Sequence, residues 1–576
     1  MKSTKGFSQF SKIYRDLKGI YEFVKPHKRY LFISIFFTIL TSFTGLFIPF
    51  LTGRGIDFLV VLKNFQRARK YFILIIVFFL FQGVVNYIKV LLFEKFRYLI
   101  SRDLREALFR KLLYASIKAS ASLKSGDISS RFSNDITEIE YLLRVFILQI
   151  AGSFITFLGA LTIMFFIDVK LTVVALSSIL MALLVLFLMA RKFKYYSKRI
   201  LNKVGEISNR IQEVVVNFKI VKAYLLEDRE FLNLKKLNEE EFSYQIDRAR
   251  YLAFFSTVNQ TLIWLGLILI IGFGFYHMSL NDISTGELVS FILYTFKLII
   301  PAVGIAMSFS YLNQGLAAWE RLEFLLKLEG ENSGGNFLKE KLDGEIEFKD
   351  VSFSYDNVKV LSGVRFKIMP GEKVAIVGLT GGGKSTILDL IVRFYDKYEG
   401  EILIDGVEIK RYSLPFLRKS ITYIPQKFYL FSGDLTKNIG DLGEEKEKLL
   451  RLFNLEGIGS KKEIKFLGED VSGGEAQRIS ILRGLLKGGD IFLIDEITSS
   501  LDSLTEERIF SILREFLKGK TALIVAHRLS SIKWVDRILV LDGGVIKEEG
   551  THEALIKLRG LYYHFYLLQK LEGENY

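Results

Sequence analysis

The sequence predicts an α-helical membrane domain of six transmembrane helices with long cytoplasmic extensions, followed by an α/β domain built around a P-loop. Three observations carry this prediction. Six apolar stretches of about 20 residues or more fall within the first 310 of 576 residues. A buried strand, a glycine-rich loop and a helix follow one another near residue 380. Between the two halves the chain becomes rich in Gly, Asn and Ser.

Half of the residues are apolar, 14% are aromatic and only 24% are charged, which excludes a disordered or collagen-like chain. Cysteine is absent, so there is no disulfide framework, thiolate metal site or cysteine nucleophile. Five histidines leave little for a histidine-rich metal centre. A net charge of +15 fits either nucleic acid or anionic lipid, so the placement of the cations decides. They flank apolar stretches. Residues 1–29 carry Lys2, Lys5, Lys12, Arg15, Lys18, Lys25, Lys28 and Arg29, and Tyr30 then opens a span without charge until Arg54. That span is too long for the core of a signal peptide and reads as a retained anchor.

The expected spans are 30–52, 71–93, 145–167, 171–190, 254–276 and 287–310. Two long polar segments are dense in cations: Arg97, Arg102, Arg105, Arg110 and Lys111 after span two, and Arg191, Lys192, Lys194, Lys198 and Arg199 after span four. The positive-inside rule makes both cytoplasmic, together with the N-terminus. The short connections near Asp168 and at 281–287 then face outward. Arg54, Lys63, Arg67, Arg69 and Lys70 disagree with this topology, but the other segments outweigh them. Ile207, Ile211, Val214, Val215, Phe218 and Val221 recur at helical spacing, so the helices are expected to continue below the membrane. Such a face serves either solubility or contact with a cytoplasmic domain. The expected divisions are an N-terminal segment 1–29, a transmembrane domain 30–325, a linker 326–343 and a soluble domain 344–576, long enough for its own core.

In that domain Val374 to Val377 reads as a buried strand, and Gly378 to Thr386 fits G-x-x-x-x-G-K-[ST]. Gly378, Gly381 and Gly383 let backbone N–H groups turn toward a β-phosphate, with Thr386 in the opening turn of the helix that follows. Lys384 is placed to bridge the β- and γ-phosphates and Ser385 to offer a hydroxyl to Mg²⁺. A mere glycine-rich turn is the bland alternative, and the following Lys and Ser argue against it. Ile491 to Ile494 is an apolar strand ending in Asp495 and Glu496, which suits one acid for Mg²⁺ and the next as base toward water. Alone that pair is a weak signal; its force comes from sharing a domain with the P-loop.

Taken in order, these residues resemble an ATP-binding cassette. Val471 to Arg478, with Ser472, Gly473 and Gly474, resembles the signature sequence of that family. Gln426 in Ile424-Pro425-Gln426 is similar to the Q-loop, Asp502 in Ser499 to Asp502 to the D-loop, His527 to the switch histidine, and Tyr355 to the aromatic residue that stacks on adenine. With six spans in front, the whole chain resembles one half of an ABC exporter. Gly126-Asp127 to Asn134-Asp135 and Ile211 to Tyr224 are similar to the family's cytoplasmic coupling segments, which favours domain contact over solubility for the amphipathic faces.

The resemblance implies ATP and Mg²⁺ as cofactors and a second half-transporter as partner, since Ser472 and the glycine amides would reach the γ-phosphate held by the other subunit's P-loop. It further implies Glu496 as general base, His527 as γ-phosphate contact and Gln426 as sensor of Mg²⁺ and water. Membrane lipids and a hydrophobic or amphipathic substrate are implied as well, with no nucleic acid. Three departures stand out. Val471 and Glu475 replace the commoner Leu and Gln, and the stretch from Gln426 to Ser472 is short, so a trimmed helical subdomain is expected. Glu496 and both signature glycines survive, so a homodimer suffices, with a heterodimer as the alternative. The expected function is an ATPase coupled to export or flipping across the cytoplasmic membrane by alternating access, with its ATPase domain cytoplasmic. The rivals are an importer of the same fold, a nucleotide-gated regulatory ATPase or channel, and a basic nucleic-acid ATPase, which six spans disfavour. Lys89 and Lys297 lie inside spans two and six, where a cation either serves a substrate cavity or snorkels or pairs with a neighbour. Pro301 is expected to kink span six.

Overall fold

Where the sequence runs apolar for 20 residues or more the chain is helical, because a bilayer offers backbone groups no partner but their own helix. The computed structural model describes residues 2–121, 123, 125–440, 446–459, 463–465, 471–497, 503–526 and 529–573. Two units emerge: Met1–Lys111 with Lys124–Lys327, and Leu112–Leu123 with Leu328–Tyr576.

In the membrane unit, helices Lys28–Val60, Phe65–Leu113, Val169–Val216, Glu227–Ser279 and Thr285–Leu326 contain 33, 49, 48, 53 and 42 residues. A 49-residue helix is about 70 Å long, over twice a hydrocarbon core of about 30 Å, so the expected polar extensions are there. The third span lies on a run that is π-wound over Arg131–Asp135 and Val145–Ile150 before Ala151–Ile167. Among the described residues five helical runs are long and apolar enough to cross a bilayer: Lys12–Val60, Phe65–Leu113, Gly126–Ile167, Val169–Val216 and Glu227–Ser279. The expected sixth, 287–310, falls on Thr285–Leu326, several of whose side chains lie outside the described residues.

Small residues bring the first and last of these helices together. A Cβ on Gly53 would collide with the Gly286 carbonyl and one on Gly286 with the Gly53 carbonyl, so the backbones meet where both residues are glycine. Asp57 closes that end, accepting from the Gly286 amide and the Ser284 hydroxyl, each at 2.8 Å. Farther along, Ser290 donates to the Pro49 carbonyl at 2.9 Å and Tyr294 to the Leu46 carbonyl at 2.6 Å. The polar extensions are tied by charge. Arg97 joins Glu94 and Glu140, and Arg321 grips Asp135 with two bonds of 2.9 and 2.6 Å.

The second unit holds two sheets. Strands β1 (Ile346–Tyr355), β2 (Val358–Ile368), β4 (Glu399–Ile404) and β5 (Val407–Glu408) form an antiparallel sheet in the order β2-β1-β4-β5. Strands β3 (Lys373–Val377), β6 (Ile421–Ile424), β7 (Ile491–Asp495), β8 (Thr521–Val525), β9 (Arg537–Asp542) and β10 (Val545–Gly550) form the other, in the order β10-β9-β3-β8-β7-β6. Five of these six run parallel, with only β10 reversed. β7 and β8 are buried at every position, as strands covered on both faces must be, which explains their unbroken apolar runs. The described helices between β6 and β7 are short, Thr436–Ile439, Lys446–Leu452 and Glu456–Gly459, followed by Gly473–Lys487, and apolar side chains of the first, second and last of these join one core with Ile424 and Phe492.

Two stretches make contacts that the sequence does not announce. The early segment that clusters with the cassette is Leu112–Leu123. Around Tyr114 the helix breaks and its freed backbone pairs with residues near 330: Ser116 donates to the Glu329 carbonyl at 2.9 Å and Glu331 to the Tyr114 carbonyl at 3.1 Å. Asp135, by contrast, is engaged by Arg321 within the membrane unit. The expected linker is pinned along its course, with Glu331 on Arg418 at 2.7 and 2.8 Å and Gly335 and Phe337 donating to the Lys410 and Arg411 carbonyls.

Candidate active site

The site forms where parallel strands end. β3 sits between β8 and β9, and the loop leaving it passes close under β9: a Cβ on Gly378 would strike the Leu541 carbonyl. Gly383 has φ +95°, and a Cβ there would lie 2.8 Å from Leu361, so glycine is required for conformation and space alike. Gly381, at φ +81°, needs glycine for conformation alone. Helix Lys384–Ile391 starts directly after this loop, so its first N–H groups and the helix dipole converge on the loop's interior.

Lys384 is 5% exposed, and its ammonium donates to the Gly378 and Leu379 carbonyls, both at 3.0 Å. Burial pulls its pKa below the ordinary lysine value, against the opposing pull of Glu496 and Asp495. Glu496 stands 3.9 Å away. Ser385 donates to Asp495 at 3.1 Å and Gln426 donates to Glu496 at 2.6 Å. The structure therefore brings Gly378, Lys384, Ser385, Gln426, Asp495 and Glu496 into one polar network, although Gln426 and Glu496 are 70 residues apart.

Asp495 is 3% exposed, and burial pushes its pKa up to about 6, with the Glu496 charge adding and the Ser385 bond and Lys384 subtracting. Asp389, on the P-loop helix, is pushed up to about 6 by burial and by the charge of Asp495. Two carboxylates so disfavoured as anions, with a serine hydroxyl beside one of them, match the oxygen-donor chemistry that Mg²⁺ requires.

Tyr355 is packed edge-on against Phe353 and Tyr395, with ring centroids 4.8 and 5.2 Å away. Its hydroxyl lies 3.3 Å from the Thr386 hydroxyl and 3.5 Å from Asp389, and burial pushes its pKa up to about 12. Ser472 caps helix Gly473–Lys487. It accepts from the Glu475 amide at 3.3 Å, and its own amide and hydroxyl donate to the Glu475 carboxylate at 2.9 and 2.7 Å. Among the described residues no hydrogen bond joins Ser472, Gly473 or Gly474 to the Lys384 network. His527 and Asp502 lie outside the described residues.

Three features escaped the sequence reading. Glu496 adopts φ +41°, a strained backbone for a non-glycine residue at the end of β7. Gln477 is fully buried and donates to the Ile497 carbonyl, tying the signature helix to the chain just beyond Glu496. Asp389 had a legible signal, an acid set in the apolar run Ile387 to Ile391 of the P-loop helix.

Comparison with known proteins now adds an independent line. Residues 31–302 match the family model of the ABC transporter transmembrane region and residues 361–499 that of the ABC transporter. An ATP-dependent lipid A-core flippase of Syntrophus aciditrophicus (strain SB) is 29% identical over 570 residues, covering 97% of this chain and 95% of that one. A Staphylococcus aureus (strain bovine RF122 / ET3-1) permease named for multidrug export is 32% identical over 578 residues, covering 96% and 100%. Among solved structures, a bacterial Atm1-family ABC exporter with ATP bound is similar at a TM-score of 0.79 and 26% identity, over 94% of this chain and 98% of that one. With a helical membrane region and a P-loop ATPase on a single polypeptide, this chain belongs to the ABC transporter family as an exporter half-transporter, an ATPase coupled to movement across a membrane.

Proposed function

We propose that two copies of this chain export or flip hydrophobic or amphipathic compounds, lipids or drugs, across the cytoplasmic membrane, with the N-terminus and the ATPase on the cytoplasmic side. The observation that carries this reading is the network of Lys384, Ser385, Gln426, Asp495 and Glu496 on a chain whose first half is membrane helix.

Lys384 neutralises β- and γ-phosphate charge, and the P-loop amides orient the nucleotide. Ser385 and Asp495 would hold Mg²⁺, which would supply charge neutralisation at the phosphates. Glu496 accepts the proton of the attacking water, and Gln426, bonded to Glu496, positions that carboxylate and senses the metal. Ser472, Gly473 and Gly474 offer a hydroxyl and a helix N-terminus to the γ-phosphate on the opposite chain, with His527 and Asp502 completing the two composite sites. Tyr355 turns its ring from Tyr395 toward adenine.

Exposure supports the partner copy. At the turn after Val169–Val216 the single chain leaves Val216, Phe218, Tyr224 and Leu225 at 76, 55, 70 and 83% exposed. An apolar turn at the end of a polar extension calls for a cover, and we assign it to the second copy's cassette. Closure of two cassettes on ATP then tilts the long helices and turns the cavity from one side to the other. The relatives named for lipid A-core flipping and multidrug export favour export over import, and Glu496 favours turnover over nucleotide gating. The test is ATP-dependent accumulation of labelled lipid or drug in inside-out vesicles. Wild type accumulates it and Glu496→Gln binds ATP without net movement; accumulation by Glu496→Gln would sink the reading.

A further inference from the structure

The membrane unit contains a cavity of about 550 Å³ lined by four of its helical runs, and both intramembrane lysines open into it. Lys89 comes from Phe65–Leu113 and Lys297 from Thr285–Leu326. Neither has an ion-pair partner among the described residues, and none of the residues lining the cavity is acidic. The snorkelling and pairing alternatives for these lysines thus give way to a shared pocket.

The rest of the lining continues the chemistry. Gln82, Asn86 and Lys89 sit at intervals of four and three on one helix face, and Gln149 joins them from the π-wound stretch Val145–Ile150. Single-turn π segments are rare and cluster at functional places. Gly45 leaves room for these groups: a Cβ there would stand 3.1 Å from the Gln82 amide nitrogen and 3.6 Å from the Lys297 ammonium. Of the hydroxyls nearby, Thr38 is committed to the Ser34 carbonyl and Ser42 to the Gly152 carbonyl. The donors left over are the ammonium and amide N–H groups together with the Ser153 and Thr156 hydroxyls, all of them able to donate to an anion. Pro49 and Pro301 cannot donate to the carbonyls four residues back, those of Gly45 and Lys297, and backbone so freed persists at membrane depth where it borders a wet cavity.

Two full positive charges, three primary amides and no opposing carboxylate make a surface for an anion. Phe79, Leu148 and Pro301 give the same cavity an apolar side. We infer that the transported compound is an amphiphile with an anionic head, phosphate or carboxylate, whose head is bound between Lys89 and Lys297. This rests on the export reading above and names the substrate class within it. Buried cations that would otherwise stay uncompensated in a membrane explain why such a head binds, and a cationic amphiphile is excluded by the same charges.

The test uses the purified full-length dimer in phosphatidylcholine nanodiscs. ATPase is followed while dodecyl phosphate, dodecanoate, dodecyltrimethylammonium or methyl phosphate is titrated in. The inference expects stimulation by the two anionic amphiphiles and none by the cationic one. Methyl phosphate separates sources: no effect points to a lipid-like compound, and an equal effect to a small soluble phosphate held by the same lysines. Lys89→Gln and Lys297→Gln each raise the half-stimulating concentration about tenfold, since a hydrogen bond to a charged group is lost. The Arg variants at both positions retain the response, which separates lost charge from misfolding, and Lys170→Gln on an exposed face changes nothing. Equal stimulation by cationic and anionic amphiphiles, or unaltered titrations in both Gln variants, would overturn the head-group assignment while leaving transport intact. A dimer that hydrolyses no ATP under any condition overturns the export reading itself.

Discussion

Glu496 is the proposed general base, and its environment sets what its removal does. It accepts from Gln426 at 2.6 Å and lies 3.9 Å from Lys384. Glu496→Gln keeps the shape, so ATP binding persists while hydrolysis falls by about 10²- to 10⁴-fold, read from single-turnover kinetics. Asp495 gives a pH dependence with a defined sign. Its pKa rises from an ordinary 3.8 to about 6 on folding, so the folded chain binds the proton more tightly and stability grows as pH falls through 6 toward 4. Asp495→Asn therefore raises the nucleotide-free, Mg²⁺-free melting temperature at pH 7.5 by about 2–4 °C or more, and the gain shrinks by pH 5, as thermal unfolding in EDTA will report. Glu475 places a carboxylate on the helix end that the proposed composite site offers to the γ-phosphate. Glu475→Gln keeps the cap and removes that charge, lowering KM for ATP by about two- to fivefold in steady-state assays. At this scale the P-loop was legible because its chemistry is local, Lys384 and Ser385 following glycines at fixed spacing. The Gln426 to Glu496 bond and the φ of Glu496 were not, because both arise from strands that meet only in the fold.

Elements were legible as apolar runs, and their continuation below the membrane as polar stretches at helical spacing. The span expected at 71–93 lies in a helix of 49 residues because polar residues extend a helix below the membrane as readily as apolar ones do within it. The polar stripe of Gln82, Asn86 and Lys89 was visible only as a lysine, since an amide at helical spacing carries little signal until neighbouring helices show what it faces. The position of Leu112–Leu123 was missed for a related reason: its partner, near residue 330, is some 200 residues away, and a broken helix has no periodicity to read. Packing between the first and last membrane helices depends on the Gly53 and Gly286 contact. Gly286→Val would push its side chain into the Gly53 carbonyl and cost about 1–3 kcal/mol, seen as a lower melting temperature in detergent, whereas Gly83→Val, with nothing within 4 Å of its built Cβ, is neutral.

The molecule as a whole couples an ATPase to membrane helices, and a single chain lacks half of each proposed site. Among the described residues Ser472 to Gly474 have no bond to the Lys384 network, and Val216, Phe218, Tyr224 and Leu225 are exposed at the turn after Val169–Val216. Order of motifs along the sequence sufficed to identify the cassette, because five short patterns in a fixed sequence constrain each other where each alone would not. Pairing of two chains leaves no such trace in one sequence. The most direct test loads nanodiscs with one or two copies and compares ATPase per chain. A composite site predicts that one-copy discs run at about one-hundredth of the two-copy rate or below, as expected when phosphate-stabilising donors are missing. Equal rates per chain would contradict it, because a solitary cassette would then complete its own chemistry.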